Sequence, residues 1–315
     1  MRVVRYRKVF FSISALLLLL SVASLITFQL RPGIDFTGGA AVTIEYEEEV
    51  ESAQVVDALT RAGQDDAIVQ ATGSNSFIVR LGELELDTRD AAGEIVARGD
   101  ESRVREALAA VAPGEVSSFE SVSGVIGAEN VRDAIIAVIV ASFVIVAYVT
   151  WAFRRTPSPV RYGIVAVIAL IHDVFIVLGL FSVLGETISL EVNAMFITGV
   201  LTTIGYSVND TIVVFDRVRE NVARYMGASM RELVDISVRE TIGRSLNTSI
   251  TLIVVVVTLL LFAGPSIRPL LYVLLAGVTV GTYSSIFIAS LMLVSWEEGE
   301  IGRFFRRITF RPARA

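Results

Sequence analysis

Asp210 is the residue of this chain whose position most demands a chemical reason. It lies in an apolar stretch, Val192 to Phe215, that is long enough to cross a bilayer. An ionisable side chain in hydrocarbon costs at least about 2.5–3.5 kcal/mol on insertion scales, so it faces a bundle interior or a water-filled path. On a helix its face is shared by the residues three, four and seven places back, which are Ser207, Tyr206 and Thr203. Asn209 adjoins it in sequence. Burial and a neighbouring arginine act on such a carboxylate in opposite directions, which poises it to take up and release a proton. Arg244 stands just ahead of a later apolar run, with Thr248 and Thr251 following on its helical face. It is either that neighbour or a residue that only sets topology. His172-Asp173 lies inside a third apolar run and is either part of the same relay or polar glue between helices.

Composition removes other chemistries. Among 315 residues there is no cysteine, one histidine (His172) and one lysine (Lys8). Disulfides, thiolate zinc sites and cysteine nucleophiles are excluded, as is a zinc site built on several histidines. A phosphate-binding loop ending in Gly-Lys-Ser/Thr cannot exist. No cofactor and no metal are expected, and if the protein does work, ATP is not what it splits. Gly205-Tyr206-Ser207-Val208 with His172 on another span would imitate an intramembrane serine protease dyad. Val208 stands where a second glycine usually follows, and no oxyanion-hole segment is present. The chain is not expected to be an enzyme.

The elements that must position these residues are mostly apolar helices. The chain is 53% hydrophobic and holds several long apolar runs, which is the composition of an integral membrane protein. Six spans are predicted: Val9–Leu30, Ala134–Phe153, Tyr162–Leu184, Val192–Phe215, Thr248–Phe262 and Leu270–Val294. Residues 1–30 form the N-terminus and first span, 31–131 an outer domain, 132–296 the remaining five spans and 297–315 a basic tail. Arginines gather at Arg154, Arg155 and Arg161, from Arg217 to Arg244, and at Arg303, Arg306 and Arg307. Those loops and both termini are expected on the cytoplasmic side of the membrane. Met230 to Ile242 reads as a surface-lying amphipathic helix. Trp151 and Trp296 sit at span edges as interfacial anchors, and Gly277 and Gly281 permit close helix packing.

Residues 31–131 are polar and acidic. Ala41 to Tyr46 alternates with period two, as a half-buried strand does, and Ser52 is expected to cap a helix ended by Gly63. Further strands are read at Ala67–Gln70, Phe77–Leu81 and Glu115–Val122, and a second helix at Glu101–Val111. The order β-α-β-β-α-β is that of a ferredoxin-like α+β domain. Glu83 to Gly99 reads as an exposed, mobile acidic insertion. Gly33, Gly38 and Gly39, between the first span and the first strand, form either a hinge or a tight turn.

Four stretches carry a resemblance. They are Gly33-Ile34-Asp35-Phe36-Thr37-Gly38-Gly39, Leu170-Ile171-His172-Asp173-Val174, Ile204 to Arg217 with its Asn209-Asp210-Thr211 core, and Gly281-Thr282-Tyr283-Ser284-Ser285-Ile286-Phe287. In this order they closely resemble the SecF family of bacterial protein-export subunits, which has half of an RND-type transporter fold. The resemblance implies pairing with SecD, association with the SecYEG channel in the lipid membrane, action on preprotein substrates and use of the proton-motive force; nothing in it implies nucleic acid. It also implies that the positions of Asp210 and Arg244 take part in proton conduction. Two readings stay open: an energy-coupled export subunit, or a passive scaffold that stabilises SecD and the channel. A small-molecule exporter is disfavoured, because one short outer domain offers little volume for substrate.

Overall fold

A computed structural model describes residues 2–89, 95–156 and 158–300. Arg303, Arg306 and Arg307, and with them nearly all of the predicted basic tail, lie outside the described residues. The chain divides into two compact units: Pro32–Ile135, and Met1–Arg31 together with the chain from Ile136 onward.

After a first long helix, α1 (Arg7–Thr27), the smaller unit begins with a short helix, α2 (Ile34–Thr37). It continues through β1 (Gly39–Tyr46), α3 (Ser52–Arg61), β2 (Ile68–Ala71), β3 (Ser76–Leu81), β4 (Thr88–Arg89), β5 (Ile95–Ala97), α4 (Asp100–Ala109) and β6 (Gly114–Val122). One antiparallel sheet runs in the order β2-β3-β1-β6. Alternation in β1 buries Ala40, Val42, Ile44 and Tyr46. They share a core with Val55 and Leu59 of α3 and Val104 and Leu108 of α4, the helical positions spaced to present one face. Tyr46 keeps its buried hydroxyl satisfied by donating to the Leu108 carbonyl at 3.1 Å.

One local expectation is corrected here and detail is added to two others. The cap of α3 is Glu51, in a reciprocal box with Gln54, and Ser52 is the first helical residue. A glutamate satisfies the free N–H groups as a serine would, and its charge suits the positive end of the helix. Within the acidic insertion, β4 pairs with β5 among the described residues. Its root is fastened by buried Asp87, which accepts from Gly99 N at 2.7 Å and from Ser102 Oγ at 2.6 Å. A carboxylate twelve or more residues away thus caps the start of α4, which no local pattern announces. Finally, two of the three glycines around the start of β1 take a backbone that only glycine adopts readily. Gly38 and Gly39 hold φ of +76° and +114°, whereas Gly33 is an ordinary −78°. A Cβ on Gly39 would stand 2.5 Å from the Leu81 carbonyl oxygen.

The larger unit contains α1 and, in order, α5 (Gly124–Ala152, from residue 136), α6 (Pro159–Ile188), α7 (Ala194–Arg224), α8 (Met230–Phe262), α9 (Arg268–Tyr283) and α10 (Ser290–Glu297). A π-helical turn, Ser284–Ala289, joins the last two. Five helical stretches among the described residues are long and apolar enough to cross a membrane: Val4–Thr27, Gly124–Ala152, Pro159–Ile188, Met230–Phe262 and Pro265–Glu297. The 31-residue α7, which holds the fourth predicted span, is not among them, because its threonines, serines, Asn209 and Asp210 dilute its apolar character. The separate surface helix expected at Met230–Ile242 is instead the first part of an unbroken 33-residue α8. Leu233, Ser237, Thr241, Ser245 and Ser249 are buried along it at four-residue spacing, so one packed stripe continues straight through.

Helices in this unit approach closely where side chains are small. A Cβ on Gly179 of α6 would fall 2.3 Å from Ser21 of α1. Ser24 Oγ donates to the Gly179 carbonyl there at 2.9 Å, and Ser182 Oγ returns a bond to the Ser24 carbonyl at 2.8 Å. At the other end of α1, Arg7 and Arg231 both grip Glu298, and Asp235 Oδ1 accepts from Val4 N at 2.9 Å. Bonds from Arg231 and then from Arg7 hold the Glu298 carboxyl down at about 2.

Two outcomes follow from these contacts. Gly39→Ala forces an alanine to a positive φ against a carbonyl and is expected to cost about 1–3 kcal/mol, read as faster amide exchange in β1 and β3. A carboxyl with a depressed folded value stabilises above its ordinary 4.5 and loses that contribution as pH falls toward about 2. Glu298→Gln should therefore lower the melting temperature at neutral pH, with the difference from the parent shrinking through that acid window in thermal unfolding of the solubilised protein.

Candidate functional site

Where α7 crosses α8, Asp210 is 7% exposed and its Oδ1 accepts a 2.5 Å bond from Ser245 Oγ of α8. Its Oδ2 is buried and has no hydrogen-bond partner among the described residues. One helical turn back, Tyr206 OH meets Ser249 Oγ of α8 at 2.8 Å. Ser249 Oγ also donates to the Ser245 carbonyl and touches Thr282 Oγ1 of α9. The hydroxyls of Tyr206 and Ser249 thus lead to the backbone carbonyl of Ser245, whose own hydroxyl holds Asp210.

The second carboxylate is differently placed. Asp173 of α6 is 6% exposed, and its Oδ2 accepts from Ser207 Oγ of α7 and Ser284 Oγ of the π turn, each at 2.7 Å. Its Oδ1 lies 2.9 Å from His172 Nδ1. His172 Nε2 is buried without a partner among the described residues. Ser285 Oγ donates to the Ser207 carbonyl at 3.0 Å, so the 2.8 Å contact between Thr211 and Ser285 has Thr211 as donor. The π turn turns the consecutive Ser284 and Ser285 inward together, both fully buried. A cavity of about 10 Å³ lies beside Asp173, lined by Leu170, Val177, Val200, Thr203, Ser207 and Gly277 among others. That is room for a single water at most and excludes a substrate pocket at this spot.

The predicted face of α7 is thus divided between neighbours. Tyr206 and Asp210 turn to α8, while Ser207 turns to α6 and the π turn. Thr203 spends its hydroxyl on its own helix, at the Gly199 and Val200 carbonyls, and its methyl packs on Gly277, where a Cβ would stand 2.5 Å away. Gly281 similarly faces Ser207, at 3.0 Å to its Cβ. Asn209 is exposed, since it lies about 100° around the helix from Asp210, and it does not join the cluster. Arg244 is exposed and makes no ion pair with Asp210 among the described residues; the contact falls to Ser245, the next residue along α8. Ser207 donates to Asp173 and not to His172, so the dyad of a serine protease is not formed. No three side chains able to hold a metal gather among the described residues.

Ser245, Ser249, Thr282, Ser284 and Ser285 were not among the candidates read from sequence. The signal that finds those on α8 is the repeat Ser237, Thr241, Ser245, Ser249, a hydroxyl every fourth residue running through an apolar helix. Thr282, Ser284 and Ser285 lie in the Gly281–Phe287 stretch that carries the resemblance, but nothing in their spacing shows which polar group each would meet.

A sequence profile of the SecD/SecF protein export membrane protein C-terminal region matches residues 103–299 of this chain, and one of the SecD/SecF GG motif matches 23–50. The chain belongs to the SecD/SecF family. The translocase subunit SecF of Thermobaculum terrenum is 41% identical over 97% of this chain and 96% of its own. That of Anaerolinea thermophila is 37% identical over 96% of each. The crystal structure of SecDF from Thermus thermophilus matches with a TM-score of 0.79 at 30% identity, over 95% of this chain. This chain spans only 39% of that SecDF chain and, at 32% identity, 38% of SecDF from Bacillus subtilis. The stretch that matches the SecD/SecF C-terminal model thus holds both carboxylates, and the stretch that matches the GG-motif model holds Gly38 and Gly39.

Close approach of α7 and α9 is what closes this site. Gly277→Val is expected to force the helices apart at Thr203 and cost about 1–3 kcal/mol, seen as a lower melting temperature and greater protease sensitivity of the purified chain.

Proposed function

We propose that this chain is an energy-coupling subunit of the bacterial Sec export machinery, working with SecD at the SecYEG channel to promote preprotein export at the expense of the proton gradient. The observation that carries this reading is the contrast between the two buried carboxylates. Asp173 has both oxygens engaged, by His172, Ser207 and Ser284, as polar glue does. Asp210 has one donor, Ser245, and one bare oxygen. A buried carboxylate oxygen without a donor is costly when charged, and it is the place where a proton can be carried. The scaffold reading applies to Asp173 and the carrier reading to Asp210, with Arg244, one residue from its hydrogen-bond donor, acting electrostatically.

In this reading α7 is a sixth span, its polar face turned to α8, α6 and the π turn. The arginine-rich loops and both termini face the cytoplasm, as their positive charge favours. Residues 32–135 then lie outside. Their sheet order β2-β3-β1-β6 with α3 and α4 against the core supports a ferredoxin-like domain.

Preprotein export into inverted vesicles separates the roles. Asp210→Asn should lose gradient-stimulated export while its membrane level and co-purification with SecD stay normal. Asp173→Asn should instead lower the amount of assembled subunit, with export per assembled copy retained. Full gradient-stimulated export by Asp210→Asn would overturn the carrier reading.

A further inference from the structure

A cleft of about 410 Å³ opens at one end of the helical unit, lined by Arg155, Thr156, Asp216, Arg219, Glu220 and Val222 among others. Trp151, exposed at the end of α5 with the Arg154 guanidinium 4.7 Å over its ring, marks this level as a membrane–water interface. Val144, Tyr148 and Trp151, all exposed, form one apolar stripe along α5 that ends there. Arginine pockets at the ends of transmembrane helices bind phosphate-bearing headgroups. This cleft differs from a purely basic pocket in holding both signs. Arg155 is exposed and makes no ion pair among the described residues. Arg219 is steadied by Asp216, by the Ala152 carbonyl and by the face of Phe153. On the same face of α7, Asp216, paired with Arg219, and Glu220, paired with Arg217 and Arg224, present half-exposed carboxylates that keep room for a further N–H donor.

We propose that this cleft is a binding site for the headgroup of an aminophospholipid, its phosphate taken by Arg155 and Arg219 and its primary ammonium by Asp216 and Glu220, with the acyl chains along the stripe of α5. A purely anionic headgroup would meet the two carboxylates, and a trimethylated one has no N–H to give them. The assignment requires the helical unit to lie in a membrane, not that Asp210 carry protons, so it is tested by lipid retention and not by export.

Native mass spectrometry of the full chain, released from detergent with phosphatidylethanolamine, phosphatidylglycerol or phosphatidylcholine at equal concentration, reads the site directly. The parent is expected to retain one more phosphatidylethanolamine than either other lipid. Arg155→Gln, at an exposed loop position, should weaken that retention about fivefold and the pair Arg155→Gln/Arg219→Gln further still. Asp216→Asn with Glu220→Gln should abolish the preference for phosphatidylethanolamine over phosphatidylglycerol while leaving a lipid bound. Equal retention of the three lipids by the parent, or retention unchanged by the arginine variants, would overturn the proposal. Displacement of the lipid by millimolar inorganic phosphate would also overturn it, by showing a soluble ligand's site.

Discussion

A charge carried into an apolar bundle has to be met by hydrogen-bond donors that arrive without charges of their own. The helical unit is built around that constraint. Two aspartates stand inside it at 6% and 7% exposure, and among the described residues the side-chain bonds to both come from hydroxyls and one imidazole, not from lysine or arginine. Serine and threonine suit the task because each can accept from one neighbour while donating to another. They are also small enough to let helix backbones approach, which larger donors would prevent. The same residues that satisfy the carboxylates are thus the ones that allow the packing.

Small residues and hydroxyls are therefore two halves of one arrangement. Gly277 and Gly281 bring α9 against Thr203 and Ser207 of α7, and that approach puts the π turn within reach of Asp173 and of the Ser207 carbonyl. The π turn places two successive serines, both buried, against different partners. On α8 a regular helix suffices, since a hydroxyl at every fourth position keeps to one stripe.

In the sheet unit the constraint is the ordinary one of covering an apolar sheet face. Alternation in β1 and the helical spacing of Val55 with Leu59 and Val104 with Leu108 were visible locally, and the elements lie within a residue or two of their expected bounds. What was not visible came from distant chain segments. Asp87 caps α4 across the insertion, and Gly39 needs its special φ because the Leu81 carbonyl passes 2.5 Å from where a Cβ would be.

By itself the sequence determined that this is a membrane-embedded chain with one polar domain after its first helix, that Asp210 and Asp173 are its costly residues, and that helix faces and strand alternation place the core. Hydropathy, helical period and capping are local properties, and they survive without knowledge of neighbours. Only the tertiary structure decided which polar groups meet. Asn209 and Arg244 sit beside the right residues in sequence and face outward. Ser245, Ser207 and Ser284 are the hydroxyl donors to the carboxylates, and Ser285 donates to the Ser207 carbonyl. Successive helical residues point about 100° apart, so one step along the chain separates a hydrogen-bond donor to the carboxylate from a residue that makes no such bond, and which step counts depends on how the neighbouring helices pack.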